Sequence, residues 1–292
     1  MKSLRQPRSR SPVLVGLIGK GIQASRSPYL HEQEARELGI PYIYQRIDLQ
    51  ELGVGVEALP RLLDAAELMG FAGVNLTHPC KQAVLSLLDE LSDEATTIGA
   101  VNTVVFADGK RVGYNTDGWG FAESFKRGLA GVPLDKVVLL GAGGAGAAVA
   151  HAALTLGVQR LAVHEIDSAR AVALVRRLSD HFGARRAAQV TDLAAEMAEA
   201  DGLIQATPVG MLGHPGLPLP AELLRPELWV AEVVYFPLET ELLKRARALG
   251  CRTLDGGGMA VFQAVEAFRL FTGITPDHRR MLRHFASMET DP

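Results

Sequence analysis

The sequence predicts a two-domain α/β fold with a mostly parallel sheet, and three observations carry that prediction. Its 292 residues divide into two units at roughly 150 residues per domain. Short apolar runs alternate with amphipathic segments along the chain, the pattern of successive β/α units. The pattern then restarts near Lys136, behind Gly131 and Pro133, with a glycine-rich turn set between a strand and a helix.

Each element follows from local signals. Val13 to Ile18 is an apolar run ending at Gly19 and Gly21, a buried strand and a turn. Ser27-Pro28 opens a helix, with Ser27 as N-cap and Pro28 at the first position, and Gly39 closes it. Tyr42 to Ile47 alternates as a strand, Glu57 to Met69 is helical, and Phe71 to Leu76 is a strand running into Thr77-His78-Pro79. A helix near Gln82 to Leu88 follows, then strands at Val101 to Phe106 and Arg111 to Tyr114, then an amphipathic helix from about Trp119 to Leu129. After the restart come a strand at Lys136 to Leu140, a helix to Leu156, a strand at Arg160 to His164 and a helix from Ser168 to Phe182. Strands at Leu203 to Ala206, Trp229 to Tyr235 and Arg252 to Leu254 precede helices over Met259 to Phe271 and Pro276 to Ala286. The domain boundary falls near 118 to 133. Gly256-Gly257-Gly258 reads as a second hinge that lets the closing helices return to the first domain.

Composition narrows the class of partner. Thirty Lys+Arg against 33 Asp+Glu leave a formal charge of −3, so no global basic field exists to hold nucleic acid or an anionic membrane. A small molecule is the expected ligand, no residue cluster calls for a metal, and monomer and homodimer both stay open. The start, MKSLRQPRSRSP, lacks an apolar h-region and reads as a solvated tail rather than a signal peptide. Val137 to Leu154 is long enough to prompt a membrane assignment, but the glycines in its middle make it a strand, a turn and a buried helix. Two cysteines, Cys80 and Cys251, fit a reducing cytoplasm, with a single bridge left open.

VVLLGAGGAG sets Gly141, Gly143 and Gly146 in G-x-G-x-x-G spacing, with Ala142, Gly144 and Ala145 between them. Glycine there permits the tight turn, lets backbone approach a pyrophosphate, and packs helix on strand while the helix N-terminus faces the phosphates. Glu165 and Asp167 follow about 20 residues on, where a carboxylate takes ribose hydroxyls. A dinucleotide-binding Rossmann domain is the reading; close strand-helix packing alone is the alternative. A carboxylate that accepts from a ribose diol repels a 2′-phosphate, which favours NAD over NADP. Asp167 has a second reading, as cap of the helix at Ser168, and Arg170 on that helix would reverse the preference if it turned to the ribose.

Four polar clusters in the first half sit at strand or helix ends: Ser25-Arg26-Ser27, Asn75 to Lys81, Gly99 to Thr103 and Tyr114 to Asp117. In an α/β sheet the loops at strand carboxyl ends form the binding crevice. Convergence is therefore expected there, although Lys81 or Asp117 taken singly also reads as a surface charge.

In this order the motifs resemble the shikimate/quinate 5-dehydrogenase family. SRSP, NLTHPCK, GAVNT, YNTDG, GAGGAG, ATPVGM and MAVFQAVEAF follow one another over roughly residues 13 to 285 as they do in that family. The resemblance implies an N-terminal α/β substrate domain over 1–118, a Rossmann domain over 119–255, and terminal helices over 256–292 packing back on the first. It implies a substrate carboxylate held by Ser25 and Ser27 with Tyr235, ring hydroxyls met by Asn75, Thr77, Asn102 and Gln263, and Lys81 with Asp117 as catalytic pair. Thr207, Pro208, Val234 and Gly258 join the glycine turn and the acids as implied cofactor residues. Local readings stand beside these: Ser27 as a cap, Asn102 as a turn residue, Tyr235 as a strand-end aromatic, Gln263 as a buried helix amide.

The chain also departs from the family's commonest pattern. His78 replaces a usually apolar residue, Cys80 a frequent aromatic, and Glu232 a common Asp. Glu165 and Asp167 replace the Asn-Arg-Ser/Thr turn of NADP-using biosynthetic members, which makes the chain look more like the NAD-using quinate/shikimate branch. The expected reaction is reversible oxidation of a ring hydroxyl of shikimate or quinate. The alternatives are an aminoshikimate-pathway dehydrogenase and a catalytically silent dinucleotide or quinate sensor. Cys80 reads as a packed residue beside Lys81 rather than a reactive thiol.

Overall fold

A computed structural model describes residues 11–288, so the first ten residues of the basic start lie outside the described residues. The first half runs β1 (Val13–Gly19), α1 (Ser27–Glu37), β2 (Tyr42–Asp48), α2 (Leu59–Leu68), β3 (Gly73–Leu76), α3 (Cys80–Ala83), β4 (Glu90–Leu91), α4 (Asp93–Ile98), β5 (Thr103–Ala107) and β6 (Lys110–Tyr114). These strands form one sheet in the order β2-β1-β3-β5-β6-β4. Parallel pairing holds β2, β1 and β3 together, whereas β5 runs antiparallel to both β3 and β6. The reversal has a local cause: Asp108 (φ 52°) and Gly109 (φ 73°) join β5 to β6, and Asp-Gly with both φ positive is the two-residue hairpin turn.

The second half runs α5 (Thr116–Gly128), β7 (Lys136–Leu140), α6 (Gly144–Thr155), β8 (Arg160–His164), α7 (Ser168–Phe182), β9 (Ala187–Gln189), α8 (Leu193–Ala198), β10 (Gly202–Gln205), β11 (Trp229–Glu232), α9 (Glu241–Ala248), β12 (Arg252–Leu254), α10 (Gly257–Thr272) and α11 (His278–Ser287). Its sheet is parallel throughout, in the order β12-β11-β10-β7-β8-β9. That is the doubly wound order of a Rossmann domain, whose ligand crevice lies beyond the carboxyl ends of the strands where the winding reverses. Val137, Leu139, Leu161, Val163 and Ile204 face α5 and the alanine-rich α6 across one side of it. Val138, Leu140, Leu203 and Val230 face α8 and α9 across the other.

Several boundaries differ from the sequence expectations for physical reasons. Helix α5 starts at Thr116 rather than Trp119 because the Asn115 side chain accepts the N–H groups of Asp117 and Gly118. A domain boundary at 118/119 thus falls inside a continuous helix. Ser27 is not the cap of α1: that position is Arg26, without a side-chain cap, and Ser27 begins the helix itself. The helix expected over Gln82 to Leu88 is the short α3 followed by a 3-10 turn, Val84–Leu87. Strand β11 stops at Glu232 instead of Tyr235 because the Glu232 carboxylate turns back on the next two peptide N–H groups. Helices α4, α8 and α9 and strands β4 and β9 are short elements that periodicity does not reveal. Ser92, Asp192 and Thr240 cap those three helices.

The glycine run at 256–258 is not a source of backbone freedom. Gly256 has an ordinary φ of −75°, and a Cβ there would stand 2.4 Å from the Val233 carbonyl oxygen. One on Gly258 would stand 2.2 Å from Ser124 Oγ on α5. The run is small so that α10 can approach its neighbours. Helix α5 lies between both halves in the same manner: a Cβ on Gly118 would be 3.3 Å from Ala148 O of α6, and one on Gly120 would be 2.7 Å from Gln263 N of α10. Helices α10 and α11 close on α1 through Leu30, Val261, Val265, Met281 and Phe285. Cys80 and Cys251 are both free and buried, so no bridge joins them. Among the described residues no helix is long and apolar enough to cross a membrane; Val137 to Leu154 is β7, a turn and most of α6.

Candidate active site

Lys81 and Asp117 are brought together across 36 residues of sequence, with Lys81 Nζ donating to Asp117 Oδ2 at 2.5 Å. Each stands in the first turn of its helix, α3 or α5, and both backbones are tied to one loop. Val101 N–H donates to Lys81 O at 2.8 Å, and Asn115 Nδ2 donates to Ala100 O at 2.8 Å. The side chains are 17% and 8% exposed, so the pair is largely shielded from solvent. The surface-charge reading of either residue fails on that geometry.

A buried polar network supports the pair from below. Tyr44 Oη donates to Asn75 Oδ1 at 2.8 Å, and Asn75 Nδ2 donates to Thr103 Oγ1 at 2.9 Å and Asn102 O at 3.3 Å. Asn102 Oδ1 accepts Thr116 N–H at 2.8 Å. Asn102 Nδ2 donates to Thr116 Oγ1 at 2.9 Å, which uses one of its two amide hydrogens. Asn75 and Asn102 are thereby held rigid, and Asn102 keeps a donor for a ligand. Tyr44, Thr103, Asn115 and Thr116 were not among the expected site residues. Thr103 and Thr116 sit inside the very motifs that named their neighbours.

Of the residues expected to meet the substrate, Asn75 bonds Tyr44 directly, and Ser27 and Tyr235 act on its hydroxyl. Burial drives its hydroxyl well above the usual phenol range, Tyr235 adds to that, and the Ser27 hydroxyl beside it acts in the opposite direction. The Tyr235 hydroxyl is itself raised by burial and by the Asp117 carboxylate and lowered by Arg26. Ser25 Oγ accepts Ser27 N–H at 3.4 Å. Thr77 follows β3 directly and its carbonyl accepts Cys80 N–H at 2.7 Å, closing the turn that leads to Lys81. Gln263 lies on α10 against Gly120, one helical turn along α5 from Asp117, and donates to Ala260 O at 3.0 Å. Cys80 has no exposed surface, and burial pushes its thiol up to about 11, the surroundings of a packed residue rather than of an activated thiol.

On the other wall, the glycine turn sits where the doubly wound sheet requires it. Gly141 has φ 98°, and a Cβ on it would be 2.8 Å from Ala206 O; a Cβ on Gly146 would be 2.2 Å from Gly141 O. Both glycines serve turn and packing. Gly143 is different, because a Cβ there meets nothing within 4 Å. Helix α6 then opens without a side-chain cap, which leaves its first N–H groups, including those of Gly144 and Ala145, without a side-chain partner. A Cβ on Gly144 would lie 3.3 Å from Lys81 Cδ, so the turn abuts the catalytic candidates.

Glu165 and Asp167 separate in role. Glu165 folds into the turn, Oε2 accepting Ala142 N–H at 2.8 Å and Oε1 accepting Asp167 N–H at 3.2 Å. Asp167 caps α7 through Ala169 and Arg170 N–H at 3.0 and 3.4 Å and pairs with Arg170 Nε at 3.3 Å. Asp167 thus makes the bonds of its capping reading. Thr207 is braced by Gln205, whose Nε2 donates to its Oγ1 at 2.9 Å, next to the exposed Pro208. Val234 N–H donates to Glu232 at 3.0 Å, and Gly258 packs against Ser124. Burial pushes the Glu232 carboxyl up to about 7, against three donors that favour its charge.

A Rossmann sheet with a glycine turn, joined by a polar crevice and a buried Lys-Asp pair to a second α/β domain, defines a dinucleotide-dependent oxidoreductase. Comparison with known proteins makes the class specific. Residues 17–104 match the family described as shikimate dehydrogenase substrate binding domain. The chain is 61% identical over 277 residues to a shikimate dehydrogenase (NADP(+)) of Streptomyces avermitilis, covering 94% of this chain and 95% of that one. It is 50% identical over 279 residues to a quinate/shikimate dehydrogenase (NAD(+)) of Corynebacterium glutamicum strain R, covering 94% and 99%. It superposes on the structure of quinate dehydrogenase from Corynebacterium glutamicum in complex with NAD with a TM-score of 0.88 at 48% identity, covering 95% and 100%. The chain belongs to the shikimate dehydrogenase family, and its cofactor is a nicotinamide dinucleotide. The names of these relatives divide between the two dinucleotides.

Proposed function

We propose that the protein is an NAD-preferring dehydrogenase that reversibly oxidises a ring hydroxyl of shikimate, quinate or a close analogue to 3-dehydroshikimate or 3-dehydroquinate. The observation that carries this reading is the 2.5 Å contact of Lys81 Nζ with Asp117 Oδ2, lodged against the glycine turn. Oxidation of a secondary alcohol removes two hydrogens, one as a proton from oxygen and one as a hydride from carbon. The Lys81-Asp117 pair holds the hydroxyl oxygen and takes up its proton within one hydrogen-bonded group. The dinucleotide, when bound, accepts the hydride. Ser25, Ser27 and Tyr235 hold the substrate carboxylate, while Asn75, Thr77, Asn102 and Gln263 meet the ring hydroxyls and fix which carbon faces the acceptor.

The residues present fit the dinucleotide. Gly141 to Gly146 and the uncapped start of α6 suit a pyrophosphate, since the space beside Gly143 is open and its neighbours offer N–H groups. Thr207, Pro208, Val234 and the region of Gly258 line the way to the substrate. NAD is preferred because Glu165, fixed by two backbone N–H groups, faces a 2′-phosphate with a like charge, which costs several kcal/mol. Residues 1–118 with the returning helices act as the substrate domain and 119–255 as the cofactor domain, with α5 as their shared spine.

Kinetics of the purified protein with shikimate, quinate and aminoshikimate against NAD and NADP test the reading. Lys81→Ala and Asp117→Ala are expected to lose about 10²- to 10⁴-fold in turnover while NADH still binds. Normal turnover in both variants would defeat the assignment, and tight binding of all three substrates without turnover would favour a sensor.

A further inference from the structure

Two buried polar side chains end neighbouring strands. Gln205 and Glu232 stand opposite each other in the parallel register of β10 and β11, with 0% and 2% of their surface exposed. Gln205 gathers the following loop, its Nε2 donating to Thr207 O at 3.2 Å and Val209 O at 2.8 Å, its Oε1 accepting Thr207 N–H at 3.0 Å. Glu232 Oε1 accepts the N–H groups of Val233 and Val234, both at 3.0 Å, and Oε2 accepts the Thr240 hydroxyl at 3.1 Å. Thr240 in turn caps α9 through Leu243 N–H at 3.3 Å. The two loops are tied to each other, for Leu212 N–H donates to Phe236 O at 3.1 Å.

A carboxyl group in that position is disfavoured by burial, and a purely apolar strand end would avoid the penalty. What the group accomplishes is geometric. It accepts the Val234 N–H, shares the Val233 N–H with Gln205 O, which also accepts it at 3.0 Å, and closes the loop beyond Tyr235 at Thr240, so the segment that carries the tyrosine leaves the sheet braced on both sides. We propose that Glu232 is a positioning residue for substrate recognition, acting through the Val233-Val234 backbone to set the place of Tyr235. The inference rests on the reading of Tyr235 as a contact of the substrate carboxylate.

The test is a double-mutant cycle in the full-length protein, with shikimate as substrate, saturating NAD, and kcat, KM, NADH affinity and thermal unfolding recorded for each variant. Tyr235→Phe and Glu232→Ala are each expected to raise KM about tenfold with kcat within about threefold, and the double variant to be no worse than either single. Glu232→Gln keeps an acceptor for both N–H groups and a donor for Thr240 Oγ1, and brings KM back to within about twofold of the parent. Multiplicative losses in the double variant, with Tyr235→Phe still effective, overturn the positioning role alone. An unchanged KM in Tyr235→Phe overturns the carboxylate reading and the inference with it. If Glu232→Ala does not fold, Thr240→Val carries the same cycle: its KM rises in the parent and stays flat in the Tyr235→Phe background, and a rise in both backgrounds overturns the proposal.

Discussion

Gly143→Ala separates a glycine kept for a ligand from one kept for packing. Gly143 has φ −74° and ψ −170°, a conformation open to any residue, and a Cβ there has nothing within 4 Å. The folded protein should hardly notice the methyl group: exchanging Gly for Ala at an N-cap costs about 0.5 to 1 kcal/mol, or about 1 to 4 °C in Tm for a chain of this size. Dinucleotide affinity should fall far more, because the methyl group occupies the surface that the pyrophosphate approaches. A thirty- to hundredfold loss, about 2 to 2.7 kcal/mol, is expected. Gly146→Ala is the contrasting variant, since its Cβ would lie 2.2 Å from Gly141 O; it should lose stability as well as binding. Calorimetric titration with NAD and thermal unfolding of both variants measure the two effects. Gly143→Ala binding NAD within twofold of the parent, with stability intact, would refute the phosphate role of the turn.

The other predictions concern cofactor choice, pH and packing. Glu165→Ala should raise the NADP:NAD ratio of kcat/KM about ten- to hundredfold; an unchanged ratio would show that the carboxylate does not discriminate. Burial lowers His31 from 6.5 to about 3, so its stability contribution is complete above 6.5 and is lost as pH falls from there. Glu232 acts oppositely: raised by burial to about 7 from 4.5, it contributes fully below 4.5, and that contribution is lost as pH rises through 7. Between pH 4.5 and 6.5 the two slopes cancel, each being about 1.4 kcal/mol per pH unit. Denaturant melts of Glu232→Gln and the parent at several pH values should therefore diverge by that slope over this range, the variant losing more stability on acidification, and parallel profiles would contradict the assignment. Glu34 has no exposed surface; it accepts from Asp277 N–H and pairs bidentately with Arg280, joining α1 to α11. Because Arg280 keeps some solvent contact, Glu34→Ala should cost about 2 to 3 kcal/mol of unfolding free energy; an unaltered melt would mean the pair contributes little.

How much of this was legible in the sequence depends on the range of the forces involved. Strands β7, β8 and β12 and helix α7 begin and end where apolar patterning and turn residues place them. The start of α5 was obscured because a side chain, Asn115, decides it. The end of β11 was obscured because Glu232 bonds its own successors. Within the site, Lys81 and Asp117 could be named from their motifs, but only the fold brings them together. Tyr44 was missed for a related reason: its partner Asn75 is 31 residues away, and an alternating strand looks the same whether its tyrosine faces a lipid-like core or a polar network. Asp167 and Ser27 each had a capping reading, and local sequence could not rank it; the capping bonds are present for Asp167 and absent for Ser27.

The close crossings of α5 give the chemistry an unexpected origin. Gly118 and Gly120 let that helix touch the backbones of α6 and α10, and Asp117 rides on the same turn. The Asp117 carboxylate is therefore spaced from the glycine turn by two residues that have no side chain. On the proposed reading, a side chain at either position would push the helices apart and alter turnover, so an inventory of side chains around the substrate would omit two of the positions that set the spacing of Asp117.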